Sequence, residues 1–221
     1  MFDAIMDSHY IRSFQAIFPE GLILTIGITL AGLFFGFIIG AIVGLGRLSK
    51  KKIINLPSLW FVEIVRGTPM LAQILFIYSG LTEDIIGFNI GALPTAIIAI
   101  AINAGAYIAE IVRGTVHSID KGQREAGRAL GLSERETMRL IVWPQAFKRM
   151  IPPLGNQFVI SLKDTSLFSV IAIGELLYLG KQYYNITYSP FQTLIVVCFL
   201  YLCITIPASF FLRRLERKLD V

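Results

Sequence analysis

Five apolar runs limit what this sequence can fold into. Residues 21–46, 57–81, 93–112, 153–179 and 191–212 are rich in Leu, Ile, Val, Phe, Ala and Gly. The hydrocarbon core of a bilayer is about 30 Å thick, so an α-helix crosses it in roughly 20 residues. All five runs reach or approach that length. None alternates apolar and polar residues as a half-buried strand does. The reading is an all-α, polytopic membrane helix bundle with about five transmembrane helices. Composition agrees: 55% of the residues are hydrophobic, 16% are charged and mean hydropathy is +0.68, too apolar for an ordinary soluble domain.

Orientation follows from the Lys and Arg residues, which gather at 47–52, 113–149 and 213–218. Basic residues flanking a span stay on the cytoplasmic side. With five crossings the three clusters follow the first, third and fifth spans, all on one side. Segments 82–91 and 180–190, on the other side, share a single basic residue, Lys181. The N-terminus is therefore expected outside and the C-terminus in the cytoplasm. The opening residues MFDAIMDSHYIRSF have no basic region, and no small-residue cleavage site closes the first run. No cleaved signal peptide is expected. The net charge of +5 reads as topology; nothing in its distribution suggests nucleic acid.

Other features are quieter. Cys198 and Cys203 share one helix, where they cannot bridge, and they lack the further ligands of a metal site. No metal is expected. His9 and His117 lie outside the runs with no clustered partners. Gly32, Gly36, Gly40 and Gly44 repeat at every fourth position, a stripe that lets a second helix approach closely.

One long polar segment interrupts the apolar pattern. Asp120 with Gln123 marks a helix start and Gly131 a helix end. Ser133 with Glu136 forms an S-x-x-E capping box, and Pro144 closes the next run. Two short helices with a corner at Gly131–Leu132 are expected. Their apolar sides, Ala126, Ala129 and Leu130 on the first and Met138, Ile141 and Val142 on the second, are expected to face the bundle. A solvated loop with ordinary ion pairs has the same local signals.

Ionisable and polar groups inside spans usually face a cavity or each other. Gln157, Ser161 and Asp164 share one helix face, continued by Phe168 and adjoined by Thr165; Asn103, Tyr107 and Glu110 share another. These stripes suit the lining of a path for a zwitterion. The alternative is that Lys163, Asp164 and Glu110 form ion pairs that fix the bundle. Glu63 and Arg66, one turn apart, read as a pair before a Gly67-Thr68-Pro69 break.

The spacing Glu125-Ala126-Gly127, Gly131, Ile141, Pro144 resembles the EAA loop of ABC importer membrane subunits. It departs from that pattern at Gly127, where the family has a second Ala, and at Trp143, where Leu is usual. EIVRGTPMLAQ (63–73), NAGAYIAEIVRG (103–114) and PPLGNQFVISLKDTSL (152–167) are similar to permeases that import polar amino acids such as histidine, glutamine and arginine. The resemblance runs from about the first span to the chain end. It implies a single transmembrane domain over 1–221, in a bacterial cytoplasmic membrane, with a cytoplasmic coupling-helix loop at 120–144. Glu125, Ala126, Gly127, Arg128, Gly131 and Leu132 would then dock on a cytoplasmic ATPase. The implied partners are two ATPase subunits, a second permease copy (identical or paralogous), an extracytoplasmic substrate-binding protein, the amino acid and membrane lipid. The chain has no G-x-x-x-x-G-K-[ST] phosphate loop, so ATP and Mg belong on the partner, and this chain is expected to carry no cofactor and no catalytic residue. The opposing readings are a non-transporting membrane assembly protein and an intramembrane enzyme. No His lies in a run and Asp164 is the only Asp in one, which leaves an enzyme short of a catalytic constellation. A proton-driven transporter would more usually show internal repeats.

The charge distribution makes a direct prediction. In intact cells, a cysteine replacing Asn89 reacts with an impermeant thiol reagent and one replacing Ser133 does not. Labelling at 133 from outside would reverse the orientation.

Overall fold

The structure is a computed structural model that describes residues 9–219. Residues 1–8, on which the signal-peptide expectation bears, lie outside the described residues. Every regular element described is helical. In chain order these are α1 (His9–Leu48), α2 (Lys52–Gly67), α3 (Met70–Leu75), a π-helical stretch (Phe76–Ile86) and α4 (Ala92–His117). Then follow α5 (Lys121–Ala129), α6 (Glu134–Thr137), a second π-helical stretch (Met138–Val142) and α7 (Trp143–Asp164). A 3-10 segment (Thr165–Ile171), α8 (Leu176–Thr187) and α9 (Pro190–Leu219) complete the chain.

Among the described residues, three helices are by themselves long and apolar enough to cross a membrane: Tyr10–Leu48, Ala92–His117 and Pro190–Lys218. Lys52–Gly67 with Met70–Leu81 makes a fourth if that bent pair is one span. The bend falls at the Gly67-Thr68-Pro69 break, where Pro69 is extended and cannot continue the helix (φ −64, ψ 135).

The run at 153–179 is not a single helix. The helix begins earlier, at Trp143, and stops at Asp164. Thr165 Oγ1 donates to Leu162 O at 2.6 Å and Ser166 Oγ to Lys163 O at 2.8 Å. Two successive hydroxyls returned to the preceding turn compete with the helical ladder and tighten it. The 3-10 segment ends at Ala172, which is left-handed (φ 60). Irregular backbone at bilayer depth is tolerated only under protein cover or along a cavity. Thr165, Phe168, Ile171 and Ile173 supply that cover, since all four are buried.

The chain divides into two compact units. One comprises the stretches ending at Phe34, Thr68–Ile100 and Phe158–Ala208; the other comprises Phe35–Gly67, Ala101–Gln157 and the chain from Ser209. In the first, Ile17, Leu176, Val196, Val197 and Leu200 form a hydrophobic core. Ile17 precedes the first apolar run, and its burial explains why α1 starts well before residue 21. Close packing recurs in this unit: a Cβ on Gly32 would lie 2.6 Å from Ile100 Cβ, and one on Gly180 would lie 2.6 Å from Val197 Cγ2.

The second unit is organised by the remaining stripe glycines. A Cβ on Gly36 would lie 3.2 Å from Ala101 O, one on Gly40 2.5 Å from Ile108 Cβ, and one on Gly44 2.8 Å from Val112 Cβ. The stripe therefore does what its spacing predicts. Backbone of α1 lies directly against α4, in whose buried row Ala104, Ile108 and Val112 also recur at every fourth residue.

This contact gives a matched pair of variants. Gly40→Ala places a methyl group against a β-branched side chain that cannot swing aside, and costs about 1–3 kcal/mol. Gly27 meets nothing within 4 Å, so Gly27→Ala stays within roughly 0.5 kcal/mol of wild type. Thermal unfolding in detergent separates the two; equal midpoints would mean that α1 and α4 are not in contact.

Candidate functional site

The polar segment folds into the corner its local signals predict, in the second unit. Asp120 caps α5, its carboxylate accepting from Gly122 N at 2.7 Å. Gln123 does not complete a box; its side chain accepts from Gln145 Nε2 at 3.2 Å. Gly131 takes φ +83. Gly131 N donates to Arg128 O at 3.0 Å and Leu132 N to Gly127 O at 3.1 Å, the paired bonds of a Schellman ending. Two residues on, the second helix starts with a complete capping box. Ser133 N donates to Glu136 Oε2 at 2.9 Å and Glu136 N to Ser133 Oγ at 3.3 Å. Lys50, just after α1, forms an ion pair with Glu134. That ammonium holds the Glu134 carboxyl below the usual carboxylate range. The Ser133 hydroxyl, then its backbone amide, does the same for Glu136.

The orientation of α5 differs from expectation. Ala126, Ala129 and Leu130 do not face the protein; all three are exposed, Leu130 at 80%. Gly127 is buried instead. A Cβ there would lie 2.8 Å from both Thr137 Cγ2 and Ile141 Cδ1, so α5 meets the following helix through bare backbone. A contact that needs no side chain leaves the Ala and Leu side free to turn outward. Glu125, Arg128 and Gly131 are exposed with it, and Leu132 is half-buried. Thr137 and Val142 are buried and Met138 and Ile141 half-buried, so the second helix does turn its apolar side inward. Arg124 Nη2 donates to Val116 O at 3.0 Å and Arg149 Nη1 to Ser118 O at 2.7 Å. The first bond anchors the corner, and the second anchors α7, to the end of α4.

The second helix also does not end at Pro144. It widens into the π-helical stretch, with Trp143 N donating to Met138 O, and continues as α7. A proline inside a regular helix clashes with the carbonyl four residues back. A wide turn just before Pro144 relieves that clash, which is why the chain runs on to Asp164.

The polar residues of the apolar runs divide between the units. In the second, Asn103 and Gln157 are buried. Tyr107 is half-exposed beneath the Arg66 guanidinium, 5.1 Å from its ring centroid. Among the described residues Glu63 and Arg66 form no ion pair. Glu110 pairs with Arg113 on its own helix and lies 4.0 Å from Arg47 of α1. Arg47 had read only as a topology signal. Its position one turn beyond Gly44, on the face that meets α4, is the sign that it reaches Glu110.

In the first unit Ser161 and Thr165 are buried. Asp164 is half-buried at the end of α7 and, among the described residues, forms no ion pair with Lys163. Nearby is a carboxylate that sequence reading passed over. Glu175 is fully buried and caps α8, accepting from Leu177 N at 2.8 Å, Tyr178 N at 2.7 Å and Tyr201 Oη at 2.9 Å. Counting 153–179 as one span hid the helix start that requires this cap.

Comparison with known proteins places these features among relatives. The family model described as "Binding-protein-dependent transport system inner membrane component" matches residues 15–221. The chain is 46% identical over 202 residues to the glutamine transport system permease protein GlnP of Escherichia coli (strain K12), covering 91% of this chain and 92% of that one. It is 31% identical over 204 residues to the arginine transport system permease protein ArtQ of Bacillus subtilis (strain 168), covering 90% and 91%. A solved structure described as an amino acid ABC transporter with histidines matches with a TM-score of 0.89 and 36% identity, covering 94% of this chain and 96% of that one.

The Gly127 contact is directly testable. Gly127→Ala forces Thr137 and Ile141 away and loosens the corner, so amide hydrogen exchange over 121–142 accelerates by about tenfold, equivalent to roughly 1.4 kcal/mol. Combining it with Thr137→Ala restores much of the protection. Unchanged exchange in the single variant would mean that α5 does not pack through Gly127.

Proposed function

Since the chain belongs to the family of binding-protein-dependent transport system inner membrane components, we propose that it is the permease subunit of an ATP-driven importer of polar amino acids. It acts as one transmembrane domain over 1–221, with its C-terminus and the 120–144 loop in the cytoplasm and its N-terminus outside. Its relatives are transport-system permeases, which favours transport over an intramembrane enzyme or an assembly protein. Glutamine and arginine, the solutes in the relatives' names, head the list of substrates to test.

The observation that carries this reading is the exposed side of α5. Glu125, Ala126, Arg128, Ala129 and Leu130 are all exposed, on a corner fastened by a Schellman ending and a capping box. A charged residue with small neighbours beside a protruding Leu suits insertion into a groove on a cytoplasmic ATPase. Gly127 and Gly131 serve beneath that surface, one as contact and one as turn, with Leu132 beside them. ATP and Mg bind to the ATPase, where hydrolysis occurs, and this chain holds no cofactor. The push is delivered through the helix that continues from the corner to Asp164. A second permease copy, identical or paralogous, completes the path, and an extracytoplasmic binding protein supplies the amino acid.

Asn103, Tyr107, Glu110, Gln157, Ser161, Asp164 and Thr165 are proposed as path residues, with Asp164 the strongest. It is the carboxylate among them without an ion pair among the described residues, and a substrate amino group would complete it. Glu110, already paired with Arg47 and Arg113, serves to hold the path in shape.

Two variants separate these roles in the reconstituted complex. Glu125→Ala leaves the spans inserted but lowers substrate-stimulated ATPase activity by about tenfold or more, the worth of one charged hydrogen bond. Asp164→Asn leaves ATPase docking intact and reduces uptake or shifts selectivity across a panel of amino acids. Normal docking with normal transport in both would reject the assignment of the corner and of Asp164.

A further inference from the structure

Arg135, Arg139, Trp143 and Phe147 recur at every fourth residue from α6 through the π-helical stretch into α7. At one end of this row, Arg135, Arg139 and Trp143 border an open concavity. At the other, Trp143 and Phe147 form one wall of a groove of about 180 Å³, closed by residues of α1, α4 and α7 that include Phe37, Leu45, Val112 and Leu154. The groove lining is wholly apolar. Trp143 borders both surfaces, so a cationic concavity and an apolar groove lie side by side.

Two guanidinium groups against one carboxylate leave the concavity net positive. Glu136 also borders the concavity, but its carboxylate is turned back onto Ser133, accepting from the backbone N–H at 2.9 Å and the hydroxyl at 2.6 Å. Glu134 is engaged by Lys50. The Arg135 and Arg139 side chains are exposed and, among the described residues, form neither an ion pair nor a hydrogen bond. Trp143 and Phe147 pack with ring centroids 6.3 Å apart, and Trp is the side chain that favours the boundary between headgroups and hydrocarbon.

We propose that this row is a binding site for an anionic phospholipid. The phosphate sits between the Arg135 and Arg139 guanidinium groups, which suit planar bidentate recognition. Trp143 lies at the level of the ester carbonyls, and an acyl chain follows Phe147 into the groove. An acidic protein surface would answer the two arginines but leave the apolar groove uncovered. A lipid answers both at once. The proposal rests on the membrane-subunit reading above, in which 120–144 lies on the cytoplasmic face, where basic residues meet anionic headgroups.

The test uses the full chain with its ATPase, reconstituted in nanodiscs of phosphatidylcholine and phosphatidylglycerol mixed equally. Native mass spectrometry then counts the lipids retained. Wild type retains phosphatidylglycerol over phosphatidylcholine, and Arg135→Gln with Arg139→Gln lowers that preference by roughly tenfold or more. Filling the groove with Ala41→Phe, which leaves the arginines untouched, lowers retention of both lipids. Equal retention of the two lipids by wild type, or an unchanged preference in the double variant, would overturn the proposal. So would disulfide cross-linking of Phe147→Cys to a second copy, or loss of the ATPase with lipid preference intact. Alkaline carbonate extraction of each variant checks the membrane reading separately: release of the wild-type chain would reject that reading itself.

Discussion

Much of the second unit depends on how closely α1 and α4 can approach. Where Gly40 and Gly44 face α4 a single added carbon would collide, and at Gly36 it would be crowded. In a bilayer there is little hydrophobic force between helices, so close van der Waals contact has to supply the attraction. The approach also sets the register. It brings Arg47, beyond the end of the stripe, to Glu110, and it places Lys50 where it reaches Glu134 of the corner. The end of α4 then offers Val116 O and Ser118 O to Arg124 and Arg149. A row of missing side chains in the apolar part of the helix thus determines where a polar surface is held.

The corner shows why holding and exposing are compatible. Its stability is local: a Schellman ending, a capping box and one glycine-mediated contact. None of these draws on the side chains of Glu125, Ala126, Ala129 or Leu130, so that face is free for a partner. Replacing the usual second Ala of the EAA pattern by Gly127 fits the same logic, because Thr137 and Ile141 already occupy the volume a methyl group would need. The departure from the pattern is matched by its neighbours.

What was legible in the sequence was mostly short-range or strongly periodic. The apolar runs, the glycine stripe, the Ser133–Glu136 box and the turn at Gly131 each state their physics within a few residues. The inward side of α5 was not legible, because helix periodicity identifies an apolar face without saying whether a glycine contact turns it away. The break after Asp164 was missed because a buried 3-10 segment is as apolar as the helix it interrupts. Glu175 was missed with it, since a carboxylate capping a buried helix start is recognisable only once that start is known. For Glu110, the acceptor was visible in the sequence but its donor Arg47 lies on another helix. Non-local partners separate polar residues of the spans that look alike on paper.

The glycine stripe also bears on how the chain is made. Gly40 emerges from the ribosome before α2, α3 and the π-helical stretch, and its partner Ile108 only after all of them. During that interval a nascent α1 stands in the lipid with a bare backbone groove and nothing to fill it. A surface that later packs tightly is, for that time, open to a wrong neighbour. Early synthesis should therefore be the stage at which this protein depends most on whatever shelters a half-inserted chain.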